Sequence, residues 1–165
     1  MVELIESSLG KSLGLPRSAQ AACAEPADGV VFVDLGGFVF VKENKKMSKG
    51  EKQKETGSEG EKDYVFVPFL GSQRVLDLFP SVVVDEGAIK FLLNGADVMR
   101  PGIRKMEDWG EAGAIVVVKE AKKGRAIAVG LSTTSGSAAS AMSKGSCLRN
   151  LHYVGDRYWN LHKQL

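Results

Sequence analysis

The chain has 165 residues, 44% of them hydrophobic and 25% charged, and its formal net charge is +2. A chain of this size can bury roughly 70% of its unfolded surface, so it needs neither a metal nor a disulfide to fold. It shows no apolar run long enough to span a bilayer and no basic signal-peptide start, which predicts a cytoplasmic protein without a membrane partner. Cys23 and Cys147 fit no CxxC pattern, and we expect two reduced, partly buried thiols.

Positive charge is concentrated in the second half of the chain. Residues 81–165 carry twelve Lys and Arg against eight Asp and Glu, whereas residues 1–80 carry ten against twelve. A local excess of cations is typical of nucleic-acid binding. A difference of this size also arises by ordinary variation, so charge alone leaves the partner open.

Residues 1–80 predict a small mixed α/β domain. Val2–Leu13 has apolar residues at mixed helical spacing, which indicates a short amphipathic helix. The alanine-rich segment Arg17–Ala24 also favours a helix. We therefore expect this domain to begin with two helices.

Strands follow these helices. Val30–Val41 contains two β-branched and aromatic runs on either side of Gly36-Gly37, a pattern typical of a β-hairpin. Tyr64–Phe69 predicts another strand. Pro68 within it favours a position at the sheet edge, because proline cannot donate a ladder hydrogen bond.

A charged segment, Lys42–Asp63, separates these strands. It mixes Lys, Glu, Ser and Gly, and Met47 is its only large apolar residue. Such a composition cannot bury a core, so it predicts a mobile, solvated loop. The alternative is a basic arm that contacts RNA, against which its interleaved glutamates argue.

The stretch from Val82 to Ile103 combines a strand, a short helix and a loop. Val82–Val84 is a β-branched run typical of a strand, and Asp85 is a good N-cap. The apolar residues that follow share one helical stripe, namely Ile89, Leu92 and Leu93. Asn94-Gly95 predicts a left-handed helix end.

The loop Gly95–Gly102 is the best candidate for binding another molecule. Its glycines let a backbone approach a partner closely, and Pro101 fixes the local path. Arg100 offers several planar donors that suit phosphate.

Two further strands follow, Ala114–Val118 and Ala126–Leu131. Neither alternates strictly, which predicts burial on both faces, as in a small closed barrel. The hairpin tip Lys122–Arg125 either keeps the protein soluble or contacts a phosphate. Trp109 either packs between sheet and loop or stacks on a base, and packing is the favoured interpretation.

The C-terminal region predicts a connection and a last hairpin. Ser132–Ser146 is rich in small residues, with a helical turn near Ala138–Met142, and it contains no phosphate-binding P-loop motif. Cys147–Val154 and Arg157–Leu161 are predicted as paired strands that turn at Gly155-Asp156.

Histidines and tyrosines of this region give little functional signal. His152 and His162 lack a third ligand at metal spacing, so no metal site is assigned. His152 is predicted to be a hydrogen-bonded structural residue, and the roles of Tyr153 and Tyr158 stay open.

Several segments in order resemble one family. Val82–Ile103 resembles the opening of a PUA domain, the small RNA-binding module of pseudouridine synthases and archaeosine transglycosylases. The similarity continues through these segments: Ile115–Val118, Ala126–Gly130, Lys144-Gly145 and Leu151–Trp159. The whole chain resembles the malignant T-cell amplified sequence protein family and its archaeal relatives, which are translation-associated. The loop Lys42–Asp63 departs from that family.

This resemblance implies an α+β fold with a PUA-type β-barrel at residues 81–165, after a pre-PUA-like domain at residues 1–80. It places Trp159 in the barrel core. It also implies RNA binding through shape and backbone. The candidate RNA-binding residues are Lys90, Asn94, Gly95, Ala96, Asp97, Val98, Met99, Arg100, Pro101, Gly102, Arg104, Lys105, Lys144 and Gly145.

The expected function is that of an RNA-binding accessory protein in translation. Its partners would be tRNA or small-subunit rRNA, with the ribosome or a translation factor as a further partner, and no DNA is expected. No catalytic constellation and no cofactor fingerprint is recognised, so an enzyme is not expected. The alternatives are a protein-interaction adaptor of a translation-factor complex and an accessory to an RNA-modification enzyme.

Overall fold

The protein, represented by a computed structural model, is described over residues 1–15, 17, 20–27, 29–44 and 64–165. Within these residues the helices are α1 (Val2–Leu9), α2 (Gln73–Leu76), α3 (Glu86–Leu92), α4 (Gly136–Ala141) and α5 (Arg157–His162). The strands are β1 (Ala22–Ala27), β2 (Val30–Asp34), β3 (Val39–Asn44), β4 (Tyr64–Pro68), β5 (Ser81–Val84), β6 (Val98–Met99), β7 (Ile103–Met106), β8 (Ile115–Glu120), β9 (Ala126–Ser132) and β10 (Ser146–Tyr153). A 3-10 turn, Arg100–Gly102, joins β6 to β7. The predicted α+β class is confirmed.

The first four strands form an antiparallel sheet in chain order. The predicted hairpin is confirmed, because β2 pairs with β3 and both turn glycines, Gly36 and Gly37, have positive φ angles of 68° and 92°. The carboxylate of Asp34 accepts a hydrogen bond from the Gly37 amide at 2.6 Å. β4 lies at the edge of this sheet and ends at Pro68, as predicted.

The predicted helix over Arg17–Ala24 is wrong, because Ala22–Ala27 is the edge strand β1. Helix preference of alanine is worth less than about 1 kcal/mol per residue, and the ladder to β2 outweighs it. Pro26 also disfavours a helix but is tolerated on an edge strand. Cys23 on this edge is exposed and only Cys147 is buried, so the predicted partial burial of both thiols is wrong; both are free, as predicted.

The predicted loop Lys42–Asp63 falls mostly outside the described residues. At its start the prediction is wrong, because Lys42–Asn44 continue the ladder of β3 with β2 and β4, and β4 begins at Tyr64. Residues 45–63 lie between them and are not described. The prediction of a solvated loop there stays a prediction.

One hydrophobic cluster joins the two halves of the chain. α1 ends at Gly10, which has a positive φ of 64°, and buries Val2 and Ile5. These side chains pack in a cluster with Phe40 and Phe66 of the first sheet. The same cluster contains these residues of β8 and β9: Ile115, Val117 and Val129. The predicted division after residue 80, which stays a prediction, thus crosses a shared core.

The second sheet has the order β6-β10-β9-β8-β5-β7. Its opposite edge strands, β6 and β7, are separated in sequence only by the turn Arg100–Gly102. Three residues span at most about 10 Å, so the sheet has to curl until its edges approach each other. The curled sheet forms a half-barrel, and the turn Arg100–Gly102 joins its two edges. The predicted barrel is therefore only partly closed. β8 and β9 are buried on both faces, as predicted.

The predicted last hairpin is wrong at its second arm, because Arg157–His162 is the helix α5. Asp156 caps this helix by accepting a hydrogen bond from the Trp159 amide at 2.9 Å. The Gly155-Asp156 turn therefore starts a helix instead of a strand. Trp159 is half-buried on α5, and its ring lies 6.1 Å from that of Phe69. It packs against the first sheet and also against the cluster that contains Ile115, Val117 and Val129 of the second sheet.

α5 also ties the end of the chain to β3. Arg157 forms an ion pair with Glu43 at 2.8 Å, and the Tyr158 hydroxyl donates to the same carboxylate. Burial, followed by this hydrogen bond, raises the pKa of Tyr158. The contact assigns a structural role to Tyr158.

His152 and Trp109 are structural, as predicted. His152 is 0% exposed, and its Nδ1 lies 2.8 Å from Oδ2 of Asp156. Burial raises the pKa of Asp156, but hydrogen bonds and charge from His152 and two backbone amides outweigh it and lower the pKa. Trp109 is 7% exposed and donates its indole N–H to the Thr134 carbonyl at 2.9 Å.

Candidate nucleic-acid interface

A cleft of about 430 Å³ lies between α3 and the segment that follows it. We call it the α3 cleft. It is lined by Asp85, Gly87, Ala88, Phe91, Leu92, Ala96, Asp97, Val98, Met99, Pro101 and Gly102. Most of these residues come from the stretch that the sequence singles out, and the cleft is mainly apolar.

The local sequence explains the position of α3. Asp85 caps the helix by accepting a hydrogen bond from the Ala88 amide at 3.0 Å, as predicted. Leu92 is buried and the rest of the predicted stripe packs around it. Gly95 has a positive φ of 87° and provides the predicted helix end.

Two large apolar side chains are exposed at the cleft. Phe91 is 63% exposed and Met99 is 50% exposed. With 100° per residue, Phe91 points away from the stripe of Leu92 and Ile89, so it cannot join the core. Exposed apolar groups beside a cleft are typical of binding surfaces.

Backbone approaches the helix closely at one side of the cleft. A Cβ atom on Gly102 would lie 3.2 Å from Cβ of Ala88, so glycine lets the 3-10 turn pack on α3. Gly87 is different, since a Cβ there would make only an ordinary contact of 3.5 Å with Asp85 Oδ1. The fold itself does not require a glycine at position 87.

β10 anchors the cleft segment. The Asn150 side-chain amide donates to the Leu92 and Ala96 carbonyls, both at 3.0 Å. Its backbone amide donates to the carboxylate of Asp97, also at 3.0 Å. The Arg100 amide donates to the Gly145 carbonyl at 2.8 Å. Residues from two distant parts of the sequence are thereby held together.

Arg100 is half-buried and its guanidinium contacts the protein. Nε donates to the Ala139 carbonyl at 2.8 Å, and Nη1 donates to the Ile103 carbonyl at 3.3 Å. The side chain therefore joins the 3-10 turn to α4. Burial raises the pKa of Cys147, and the charge of Arg100 partly opposes this rise. Phosphate recognition by Arg100 stays a prediction.

Other predicted cations are exposed. Arg104 is 65% exposed and lies 3.2 Å from Asp85 at the cleft. Ile103 pairs with Val84 and Met106 pairs with Val82, so β7 holds an extra residue and a β-bulge. This bulge leaves both Arg104 and Lys105 exposed.

The structure brings together most of the predicted site residues, but not all. Ala96–Met99, Pro101 and Gly102 line the cleft, and Gly145 accepts a hydrogen bond from the Arg100 amide. Lys90 and Asn94 are exposed on and after α3, and the Asn94 side chain donates to the Lys90 carbonyl. Val98 is 2% exposed and its side chain belongs to the core. The predicted site residues that are not part of the cleft lining are Lys90, Asn94, Gly95, Arg100, Arg104, Lys105, Lys144 and Gly145.

Sequence reasoning missed five lining residues as site residues, which are Asp85, Gly87, Ala88, Phe91 and Leu92; it assigned Asp85 and Leu92 only structural roles. A signal for Phe91 was present, because a large aromatic side chain lies off the apolar stripe of α3. The small residues at positions 87 and 88 carry no such signal.

Two other kinds of site receive no support from the part of the chain that the structure describes. Within it, no three His, Cys, Asp or Glu side chains are grouped so that they could hold a metal ion. No helix in the same residues is long and apolar enough to cross a bilayer.

A protein-family comparison identifies the region that contains the cleft. Residues 80–154 match the profile of the PUA domain. This range includes β5, α3 and all the predicted site residues. It begins close to the predicted domain start at residue 81.

Curated relatives match part of the chain. An uncharacterized protein of Methanocaldococcus jannaschii is 46% identical over 79 residues, 48% of this chain and 49% of that protein. Translation machinery-associated protein 20 of Schizosaccharomyces pombe is 37% identical over 100 residues, 56% of this chain and 55% of that protein. Malignant T-cell-amplified sequence 1-A of Xenopus laevis is 32% identical over 102 residues, which are 57% of this chain and 56% of that protein. The chain spans about half the length of the curated relatives it matches.

A solved structure matches nearly the whole chain. It is the crystal structure of a hypothetical protein from the archaeon Pyrococcus horikoshii, with a TM-score of 0.70 and 25% identity over 97% of this chain and 93% of that one. The fold described above is thus similar to that of an archaeal protein over both halves of the chain. Residues 80–154 of this chain match the PUA domain, and the chain is similar over about half its length to translation machinery-associated and malignant T-cell-amplified sequence proteins.

Proposed function

We propose that this protein binds RNA through the α3 cleft and acts as an accessory factor in translation. The observation that carries the proposal is the cleft itself, where the exposed side chains of Phe91 and Met99 lie beside exposed cations. The PUA profile supports the RNA partner, and the relative named translation machinery-associated protein 20 supports the process. In this role the protein works in the cytoplasm and binds tRNA or small-subunit rRNA.

An unpaired base is the part of RNA that best fits this cleft. Its volume of about 430 Å³ lies in the range of small-molecule sites. A base that stacks on an aromatic ring such as Phe91 gains roughly 1–3 kcal/mol. Met99 adds a polarizable, adaptable contact. The protein therefore selects a strand end or a loop whose bases are unstacked.

Phosphates next to that base meet the exposed cations. Arg104 follows the 3-10 turn, Lys144 precedes Gly145, which accepts a hydrogen bond from Arg100 of that turn, and both cations are exposed. Two carboxylates near these cations would repel phosphate, but both already make contacts within the protein that offset part of their charge. Asp85 caps α3 and pairs with Arg104, and Asp97 accepts from the Asn150 amide.

Binding without catalysis is part of the proposal. We interpret the carboxylates that line the cleft as structural groups and not as general acids or bases. Asp85 and Asp97, the carboxylates that line the cleft, both accept hydrogen bonds from backbone amides. Their arrangement favours a rigid binding surface.

A fluorescence-anisotropy titration tests the proposal. Wild-type protein is titrated into labelled bulk tRNA and into a matched DNA duplex at two salt concentrations. We expect saturable, salt-sensitive binding that prefers RNA, because a stacked duplex cannot insert a base into the cleft. Equal affinity for both nucleic acids, or no binding at low salt, would contradict it, and the second result would favour the protein-adaptor alternative.

A further inference from the structure

A second cleft lies on the far side of α3. It has a volume of about 690 Å³, and we call it the hairpin cleft. Its lining consists of Glu86, Ile89, Glu120, Ala121, Lys122, Lys123, Arg125 and Ile127. On a helix with 100° per residue, Glu86 and Ile89 lie on the opposite side from Phe91. The α3 cleft and the hairpin cleft therefore flank the same helix.

Glu120 organises the hairpin tip. Its carboxylate accepts hydrogen bonds from the backbone amides of Lys122 at 2.6 Å, Lys123 at 2.8 Å and Arg125 at 3.3 Å. These bonds, of which that from Lys123 contributes most, lower the pKa of Glu120. Gly124, with a φ of 67°, lets the tip wrap around the carboxylate. The tip is thus rigid, and the Glu120 carboxylate is turned toward the backbone, whereas Glu86, the other acid of the cleft lining, is exposed on α3.

The cations of the tip are left for another partner. Lys122, Lys123 and Arg125 are exposed. In the described residues the ion pairs within 4.0 Å are Arg104–Asp85, His152–Asp156 and Arg157–Glu43, none of which involves the tip. Three such cations on a preorganised turn form a point of positive potential suited to phosphate.

The crest of α3 offers a path between the two clefts. Gly87 and Lys90 lie on this crest and both are exposed. Glycine at position 87 costs up to about 1 kcal/mol relative to alanine in a helix, and no contact within the protein requires it. Because glycine has no side chain, no group projects from the helix surface at this position. A helix about 10 Å wide is crossed by roughly three nucleotides of a stacked strand.

We propose that the hairpin tip, Lys122–Arg125, is a second RNA contact that binds the phosphate backbone of the strand whose base occupies the α3 cleft. The strand passes over Gly87 and Lys90, where Lys90 contacts a phosphate. This inference rests on the proposed function and extends it, because it predicts that affinity depends on strand length. A trinucleotide fills the α3 cleft alone, whereas about ten nucleotides reach both sites.

The test compares two RNA lengths and two matched double variants. Lys122→Ala/Lys123→Ala removes two cations from the tip, and Arg149→Ala/Lys163→Ala removes two exposed cations outside both clefts. Binding of a single-stranded RNA trinucleotide and of a decanucleotide is measured for each protein at several salt concentrations. We expect the tip variant to bind the decanucleotide about tenfold more weakly. The slope of log K against log salt concentration should fall by roughly 1 to 2 for the decanucleotide and stay unchanged for the trinucleotide. Lys122→Arg/Lys123→Arg should retain wild-type binding.

The outcomes separate this inference from the proposed function. Decanucleotide binding by the tip variant that equals the wild type, or an equal loss for both lengths, would overturn the second contact. Failure of the wild type to bind either RNA would overturn the proposed function and the second contact with it. A loss that the Arg149→Ala/Lys163→Ala control reproduces would show only an effect of net charge and would also overturn the second contact.

Discussion

The backbone amide of Arg100 lies 2.8 Å from the carbonyl oxygen of Gly145 and donates a hydrogen bond to it. This bond connects the two segments that the sequence predicts to bind RNA. The register between β6 and β10 agrees with this bond, because Met99 pairs with Ser146 in the adjoining ladder. Lys144 is thereby placed next to the 3-10 turn, and the α3 cleft and its cations form one surface.

Phe91→Ala should weaken RNA binding without changing stability. The ring is 63% exposed, so its loss changes the free energy of unfolding by less than about 0.5 kcal/mol. Lost stacking lowers affinity about tenfold. Anisotropy with tRNA measures the effect. Leu165→Ala, which removes a side chain of similar exposure (61%), is the control and should bind normally. Equal affinities of the two variants would show that Phe91 does not contact RNA.

Arg104→Ala/Lys144→Ala should reduce the salt dependence of RNA binding. Each lost phosphate contact lowers the slope of log K against log salt by roughly 0.7 for a single strand. Affinity is measured from low to moderate salt. Arg149→Ala/Lys163→Ala carries the same change in net charge. If both pairs lowered the slope equally, the positions of Arg104 and Lys144 would be irrelevant.

Arg100→Ala should lower stability, in contrast to Arg104→Ala. Arg100 donates to the carbonyls of Ala139 and Ile103, and removal of a charged donor costs roughly 1–3 kcal/mol. Arg104 is 65% exposed, and its removal changes the free energy of unfolding by less than about 0.5 kcal/mol. Urea unfolding compares the two. Equal stability would mean that the Arg100 hydrogen bonds do not hold the 3-10 turn in solution.

Ile5→Ala should destabilise the whole chain and not only its first half. Ile5 is 0% exposed in the cluster that also contains Val117 and Val129. Truncation of a buried isoleucine costs about 2–5 kcal/mol. Leu4→Ala on the same helix, at a side chain 48% exposed, should cost far less. Tryptophan fluorescence, from Trp109 and Trp159, and far-UV circular dichroism should report one shared transition. Separate transitions with only one shifted would show that the halves unfold independently.

Glu120→Gln should lower the stability of the protein at neutral pH, and the loss should become smaller at acidic pH. The native pKa of Glu120 lies below its ordinary value of 4.5, since backbone amides stabilise the charged form. Its contribution is therefore complete above pH 4.5 and disappears as the pH falls through the native pKa. Thermal unfolding from pH 7 to pH 3 should show a deficit of the variant that shrinks toward low pH. Glu111→Gln, at an exposed side chain, should parallel the wild type.

A deficit of Glu120→Gln that stays constant with pH would contradict the linkage. It would mean that the variant loses a contact other than the one made by the charged carboxylate.

Local signals predicted the elements around the cleft. Asp85 as a cap, the stripe around Leu92 and the stop at Gly95 act within one or two helical turns, so their effects can be read from neighbouring residues. The hairpin around Gly36-Gly37 is local in the same way. These elements agree with the structure because no distant contact competes with them.

Long-range pairing and caps explain the errors. Ala22–Ala27 became a strand because β2 offered it a partner, which alanine spacing does not reveal. Arg157–His162 became a helix because Asp156 caps it and Glu43, more than a hundred residues earlier, holds Arg157 and Tyr158. The contact of Arg100 with the Ala139 carbonyl is likewise long-range and has no signal in the sequence, while its predicted role toward RNA stays a prediction.

The most direct test is an NMR titration of ¹⁵N-labelled protein with a short single-stranded RNA. Each backbone amide reports on its own surroundings, so the binding surface is mapped without mutation. We predict that the largest shifts come from the amides of Gly87, Phe91, residues 96–100 and Gly102, with Gly145 also affected, while the amides of α5 stay unchanged. Shifts confined to α5 or the first sheet, or no shifts at saturating RNA, would contradict the assignment of the α3 cleft as the RNA-binding site.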